Sequence, residues 1–188
     1  MEAVLNREVV LNKNICRFIS VSAFVIFTAL GAFVRIPLPF TPVPITLQTF
    51  FVLISGALLG WRMAGVVQLS YIILGVLGLP IFTGAASGVL YLFGPTAGYL
   101  IGFIVAVLFI GSSVRFAKNS PLLVFSLFCV ADFILLLCGT VWLKVIAGLS
   151  FDQAVFMGFL PFVPGDLIKA AAATAVFSGL RSRMKEVL

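Results

Sequence analysis

Long apolar runs separated by isolated charges dominate this sequence, and residues 63–114 carry no charged side chain at all. Such a chain has few ways to fold. About 20 apolar residues in a helix match the hydrocarbon thickness of a bilayer, and backbone in that medium must satisfy its own hydrogen bonds. Only 10% of the 188 residues are charged and 62% are hydrophobic, whereas a soluble domain is about a quarter charged. The expected class is therefore an all-α integral membrane protein. The length suits a single membrane domain over 1–188, with about five or six spans and no room for a separate soluble domain. A net charge of +6 could suggest nucleic acid, but the basic residues are scattered rather than gathered into a patch with exposed aromatics.

Several chemistries are disfavoured at once. The chain has no histidine and three cysteines, Cys16, Cys129 and Cys138, in or beside apolar segments without CxxC spacing. Disulfides and zinc are not expected, and the usual base of serine and cysteine hydrolases is missing. GxxxxGK[ST] is also absent, so no phosphate-binding P-loop can be claimed.

The apolar periodicity and its breakers predict six transmembrane helices, at 18–34, 45–59, 63–76, 95–114, 121–146 and 164–180. Met1 to Asn14 is polar and reads as a short tail or interfacial helix, not a cleaved signal, because the run that follows ends in Arg35 and prolines rather than a small-residue cleavage site. On the first helix Thr28 and Ala32, with Ser22 and Ala29 near the same face, permit close contact with another helix, internal or foreign. Pro37, Pro39, Pro42 and Pro44 then forbid a regular helix. This proline segment is apolar, so it reads as a lid or re-entrant wall packed on the protein. Gln48 follows as a neutral donor and acceptor able to face a cavity or cap a neighbouring helix. Gly78 to Gly94 is uncharged, contains five residues of Gly or Pro and holds Thr83, Ser87 and Tyr91; such loops form binding walls because backbone can approach a ligand closely. Gly94, Gly98, Gly102 and Ala106 make a close-packing row on the fourth helix, with Tyr99 beside it.

Two places put charge where it is costly. Asp132 lies inside the fifth helix, where it can serve function or bond a neighbouring helix. Pro161-Phe162-Val163-Pro164-Gly165-Asp166-Leu167-Ile168-Lys169 places a carboxylate and an ammonium three residues apart at the mouth of a helix that continues with four alanines. Pro164 suits a first turn and Asp166 is favoured there by the helix dipole. The spacing sets Asp166 and Lys169 on one face, to pair with each other or to grip the two ends of one polar ligand.

Charge asymmetry orients the six helices. With both termini cytoplasmic, Arg7, Lys13, Arg17, Arg62, Arg115, Lys118, Arg181, Arg183 and Lys185 fall inside, and only Arg35 and Lys144 outside. The proline segment, the Gly-rich loop and the Asp166/Lys169 helix mouth then share the outer face, which predicts a six-transmembrane-helix bundle with an outward-facing ligand pocket.

FTPVPITLQTF (Phe40 to Phe50), GALLG (Gly56 to Gly60), GLPIF and GPTAGYLIGF (Gly78 to Phe82, Gly94 to Phe103) and PFVPGDLIKA (Pro161 to Ala170) resemble the BioY family, the biotin-specific substrate-capture component of energy-coupling factor transporters. The resemblance covers nearly the whole chain in order, departing at Ala97, where a second glycine is more usual. It implies a protein of the cell (cytoplasmic) membrane that captures biotin from outside, with no cofactor, not an enzyme, partnered by a transmembrane scaffold subunit and ATPase subunits that consume the ATP. It implies Asp166 and Lys169 as carriers of the ureido ring, with Gln48 and the loop from Gly84 to Tyr91 contributing. Ser87, Thr83, Tyr99 or backbone amides are candidates for the valerate carboxylate, as the loop has no Arg. The Thr28/Ala32 face is a candidate docking surface for the scaffold. The readings left open beside it are capture of a different vitamin, unaided facilitated diffusion, and an intramembrane enzyme using Asp132 with Asp166.

Overall fold

The computed structural model describes residues 13–117 and 120–187, with side chains over 14–117 and 120–181. The polar tail from Met1, together with Arg7 and Lys118 and the side chains of Lys13, Arg183 and Lys185, lies outside the described residues. Six α-helices and one two-stranded ladder follow in the order α1 (Lys13–Phe33), β1 (Arg35–Ile36), β2 (Ile45–Thr46), α2 (Gln48–Val76), α3 (Ala97–Ser113), α4 (Pro121–Ile146), α5 (Phe151–Gly158) and α6 (Val163–Val187). A 3-10 turn at Val89–Phe93 sits in the Gly-rich loop and another, Val114–Ala117, extends α3.

Gly60 divides α2. Its φ of 74° and ψ of 167° are not helical and are open mainly to glycine. In a straight helix Gln48 and Tyr71 would stand about 35 Å apart, yet the Gln48 amide donates to the Tyr71 hydroxyl at 2.8 Å, and Gln68 donates to Ser55 Oγ at 3.4 Å. The two arms, 48–59 and 61–76, therefore fold back on each other as an antiparallel hairpin. They are the second and third predicted helices, with a tighter turn than the one expected over Gly60-Trp61-Arg62. Among the described residues, α1, α3 and α4 are long and apolar enough to cross a membrane, as is α2 when its two arms are counted together, and α5 with α6, bent by 44°, forms either a broken span or a re-entrant pair. Because α2 doubles back, α1, its two arms, α3, α4 and α6 give the six-helix bundle. The outer surface is apolar, as lipid requires: Phe18, Leu90, Val145 and Ile168 are each more than 70% exposed.

Several boundaries differ from the sequence expectation: α1 begins at Lys13 rather than at 18, α3 spans Ala97–Ser113 rather than 95–114, and three further differences involve α2, α5 and α6. The second helix starts at Gln48 and not Ile45, because Ile45 and Thr46 pair antiparallel with Ile36 and Arg35. This closes the proline segment into a loop whose Thr41 and Val43 are buried. A separate helix, α5, precedes α6, started by a capping box in which Ser150 Oγ accepts from the Gln153 N–H and Gln153 Oε1 accepts from the Ser150 N–H. Finally, α6 continues to Val187.

Small residues bring the helices together. A Cβ on Gly98 would collide with Trp142 Cβ and the Cys138 carbonyl, and one on Gly102 would stand 2.9 Å from the Leu135 carbonyl oxygen, so the row on α3 is the seam with α4. Gly56 faces Ile110 and Val107, and Gly111 faces the backbone of Gly60 and Trp61, which seats the α2 turn against α3. The row on α1 is also internal. Thr28 and Ala32 are wholly buried, and a Cβ on Gly31 would stand 2.9 Å from the Gln48 backbone nitrogen. The face anticipated as a docking surface for a scaffold is thus spent on packing against the start of α2, and the outward side of α1 carries Ile26, Leu30 and Phe33 instead.

Gly111→Ala should destabilise the protein by about 1–3 kcal/mol, since the added methyl meets backbone that cannot rotate away. Gly65→Ala, whose Cβ would find Leu108 Cδ2 at an ordinary 3.7 Å, should be neutral or slightly stabilising. Thermal unfolding in detergent distinguishes them, and equal melting temperatures for the two variants would refute the backbone-contact account.

Candidate functional site

The first turns of α2 and α6 face each other and supply the polar floor of a pocket. Lys169 Nζ lies 2.5 Å from Asp166 Oδ1, donates to Thr49 Oγ1 at 2.5 Å and to the Thr46 carbonyl at 3.0 Å, while Thr49 Oγ1 contacts Asp166 Oδ1 at 3.2 Å. All three ammonium protons thus have acceptors. No described bond uses Asp166 Oδ2, which remains an acceptor for an incoming N–H. Asp166 is 4% and Lys169 9% exposed, a depth at which an ion pair persists only with such additional bonds.

Gln48, 3% exposed, joins this floor to the Gly-rich loop. Its Nε2 donates to the Tyr71 hydroxyl, which donates in turn to the Ile81 carbonyl at 3.0 Å, and its Oε1 accepts from Thr83 Oγ1 at 3.2 Å. The loop is pinned from beneath by Phe82, fully buried, whose ring stacks on Tyr91 at 4.4 Å and meets Tyr71 edge-on at 5.5 Å. It occupies the space that a Cβ on Gly75 would fill. Gly84 and Gly88 adopt φ values of 82° and 89°, letting the loop double over this ring through the Phe82–Ala86 bridge.

Around the floor, Val43, Pro44, Leu100, Phe103, Leu135 and Phe162 form apolar walls, and Tyr91 and Tyr99 contribute rings, enclosing a small cavity of about 40 Å³ that is partly open to solvent. Such a space, apolar with a few convergent polar groups, suits a small molecule with a hydrogen-bonding head and an apolar body. Of the residues singled out from the sequence, Asp166, Lys169, Gln48, Thr83, Tyr91 and Tyr99 line it. Ser87 does not: it is exposed on the loop. The Tyr99 hydroxyl is already committed, donating to the Gly158 carbonyl at 2.6 Å, so this residue offers the pocket its ring rather than its oxygen. Thr49 and Tyr71 were missed. The signal for both is a hydrogen-bonding side chain in an otherwise apolar helix one or more turns from another such side chain.

Asp132 is buried on α4 with no hydrogen-bond partner for either carboxylate oxygen among the described residues, so the bond to a neighbouring helix is not formed. It lines a separate cavity with Cys129, Phe133 and Phe159, which Asp166 and Leu136 also border. Among the described residues no group of three or more His, Cys, Asp or Glu side chains could hold a metal ion.

The chain is 36% identical over 164 residues to the probable biotin transporter BioY of Pyrococcus horikoshii, covering 86% of this chain and 93% of that one. It is 37% identical over 165 residues to the biotin transporter BioY of Thermotoga maritima, covering 86% and 94%. The crystal structure of the S-component for biotin from an ECF-type ABC transporter superposes with a TM-score of 0.82 at 25% identity, covering 92% of this chain and 94% of that one. Residues 6–186 match the model of the BioY family, and with that extent of agreement in sequence and fold the chain belongs to the BioY family.

Proposed function

We propose that this protein captures biotin at the outer face of the cytoplasmic membrane and serves its uptake as the substrate-binding component of an energy-coupling factor transporter. The observation that carries the reading is the buried Asp166–Lys169 pair, bonded through Thr49 at the floor of an apolar pocket. Biotin has a head with two N–H donors and a carbonyl acceptor on an apolar ring and chain. Asp166 Oδ2 accepts a ring N–H, and Lys169 turns one of its protons from the Thr46 carbonyl or Thr49 to the ring carbonyl. One neutral contact is exchanged for another, so neither charge is left bare. Gln48 adds an amide beside them, and Phe103, Phe162 and the rings of Tyr91 and Tyr99 cover the thiophane ring and chain.

Orientation follows from the charges. The α2 turn packs against Gly111 near the end of α3, so Arg62 and Arg115 share one end of the bundle. Trp142, two residues before Lys144, donates to the Gly94 carbonyl at 2.9 Å, which sets Lys144 with the Gly-rich loop and pocket at the other end. The basic excess favours the first end as cytoplasmic, with both termini, and the pocket as outward. With no P-loop motif, the chain leaves ATP hydrolysis to partner subunits; on this reading it acts as a capture protein, and a transmembrane scaffold and ATPase subunits drive its movement.

Asp166→Asn and Lys169→Ala should each weaken biotin binding by roughly 10- to 100-fold, as loss of a charged hydrogen-bonding partner does. Calorimetry on the purified protein in detergent measures this, and affinity indifferent to both changes would sink the proposed role of the pair. Thr49→Val replaces only the hydroxyl between them and should cost about tenfold in affinity, seen at a fixed saturating biotin concentration as about 1.4 kcal/mol less ligand-induced stabilisation.

A further inference from the structure

A ligand whose head is held at the floor of this pocket and whose other end is a carboxylate needs a donor near the mouth, and the side chains that seemed suited to it are engaged elsewhere or lie outside the lining. The Tyr99 hydroxyl is bonded to Gly158, Thr83 is bonded to Gln48, and Ser87 lies outside the pocket lining. The loop from Gly78 to Gly94 contains no basic residue. A basic group nevertheless reaches it from elsewhere in the chain.

Arg35, on β1, faces Thr46 across the two-stranded ladder, and the carbonyl of that same Thr46 accepts from Lys169. The Arg35 guanidinium extends from the ladder to Gly84, with Nη1 2.7 Å, Cζ 3.6 Å and Nη2 3.9 Å from where a Cβ on that glycine would stand. Gly84 has φ of 82°, so no side chain intervenes and the backbone turns to leave the guanidinium its place. The side chain is exposed, and among the described residues it makes neither an ion pair nor a hydrogen bond. Arg35 thus bridges the proline hairpin and the Gly-rich loop, paired across the ladder with Thr46, which lines the pocket although Arg35 itself does not. The fork of a guanidinium matches a carboxylate in two parallel bonds.

We infer that Arg35 is a specificity-determining residue that binds the ligand's terminal carboxylate at the pocket mouth, and that Gly84 is there to admit it. The inference rests on the biotin reading and deepens it: the floor selects the ureido head, the rim selects the anionic tail. A ligand held at both ends also joins the proline hairpin to the Gly-rich loop, so the same contact closes the mouth over it.

The test is equilibrium binding of biotin and its neutral carboxamide, biotinamide, to the purified full chain in detergent, for the wild type, Arg35→Gln and Arg35→Lys. The wild type should prefer biotin by about tenfold or more, as expected for a charge-assisted pair at a partly exposed site. Arg35→Gln should weaken biotin to the level of biotinamide while leaving biotinamide unchanged, and Arg35→Lys should restore part of the preference. Gly84→Ala should lower biotin affinity in the wild type yet have less effect when combined with Arg35→Gln. Tight biotin binding by the wild type with a preference that Arg35→Gln leaves intact, or equal loss of both ligands in that variant, overturns this inference alone. A wild type that binds neither ligand overturns the biotin reading and the inference with it.

Discussion

A carboxylate and an ammonium are held together inside an apolar bundle, and much of the molecule follows from having to keep them there. Removed from water, each charge costs several kcal/mol unless its bonding capacity is met. The bundle meets it locally: Asp166 and Lys169 are one turn apart on α6, Thr49 on α2 touches both, and the Thr46 carbonyl takes the remaining ammonium proton. That carbonyl points at Lys169 because the chain before α2 is extended and laddered, not helical. The proline segment thus has two effects, delaying the helix until Gln48 and leaving backbone acceptors for a cation. Irregular backbone at this depth is sustained where it lines a cavity within the protein.

Close helix approach is the second requirement. The glycines of α3 allow α4 and the α2 turn to approach within backbone contact, and Gly31 does the same for α1 against Gln48. With the floor residues distributed over α2 and α6, and the walls over α3 and α4, a displacement of any seam by the width of a methyl group would move one part of the polar network against another. Dispersion and close packing carry association in lipid, where no hydrophobic force separates helices from tails, so the same contacts that hold the bundle also set the pocket.

Much of this was legible in the chain before any coordinates. Asp166, Lys169 and Gln48 stand out because polar groups in apolar surroundings need a reason, and α4 coincides with its predicted range because Ser120 and Pro121 form a clear helix start. Other features depend on pairings that sequence spacing does not encode. Ile45 and Thr46 look helical until a strand ten residues earlier takes their hydrogen bonds. The row at Thr28 and Ala32 is equally suited to an internal or an external neighbour, and only the packed bundle decides. Tyr99 loses its hydroxyl to Gly158 on a helix 59 residues away. By contrast α5 had a readable signal, the Ser150 to Gln153 capping box, obscured by the apolar run that follows. Thr49 was overshadowed by its neighbour Gln48, although the two point to different partners.

The hairpin in α2 bears on how the protein enters its membrane. Its first arm, 48–59, rises only about 18 Å against a hydrocarbon core of about 30 Å, and it carries Gln48 and Ser55; the second carries Gln68 and Tyr71. Alone, each arm would bring unpaired amides or hydroxyls into lipid. Folded about Gly60, they satisfy Gln48 with Tyr71 and Gln68 with Ser55 across the hairpin, so the unit that partitions favourably from the insertion machinery is the pair of arms. The polar pairing at this end of the pocket, Gln48 with Tyr71, is therefore internal to the hairpin and needs no contribution from α6.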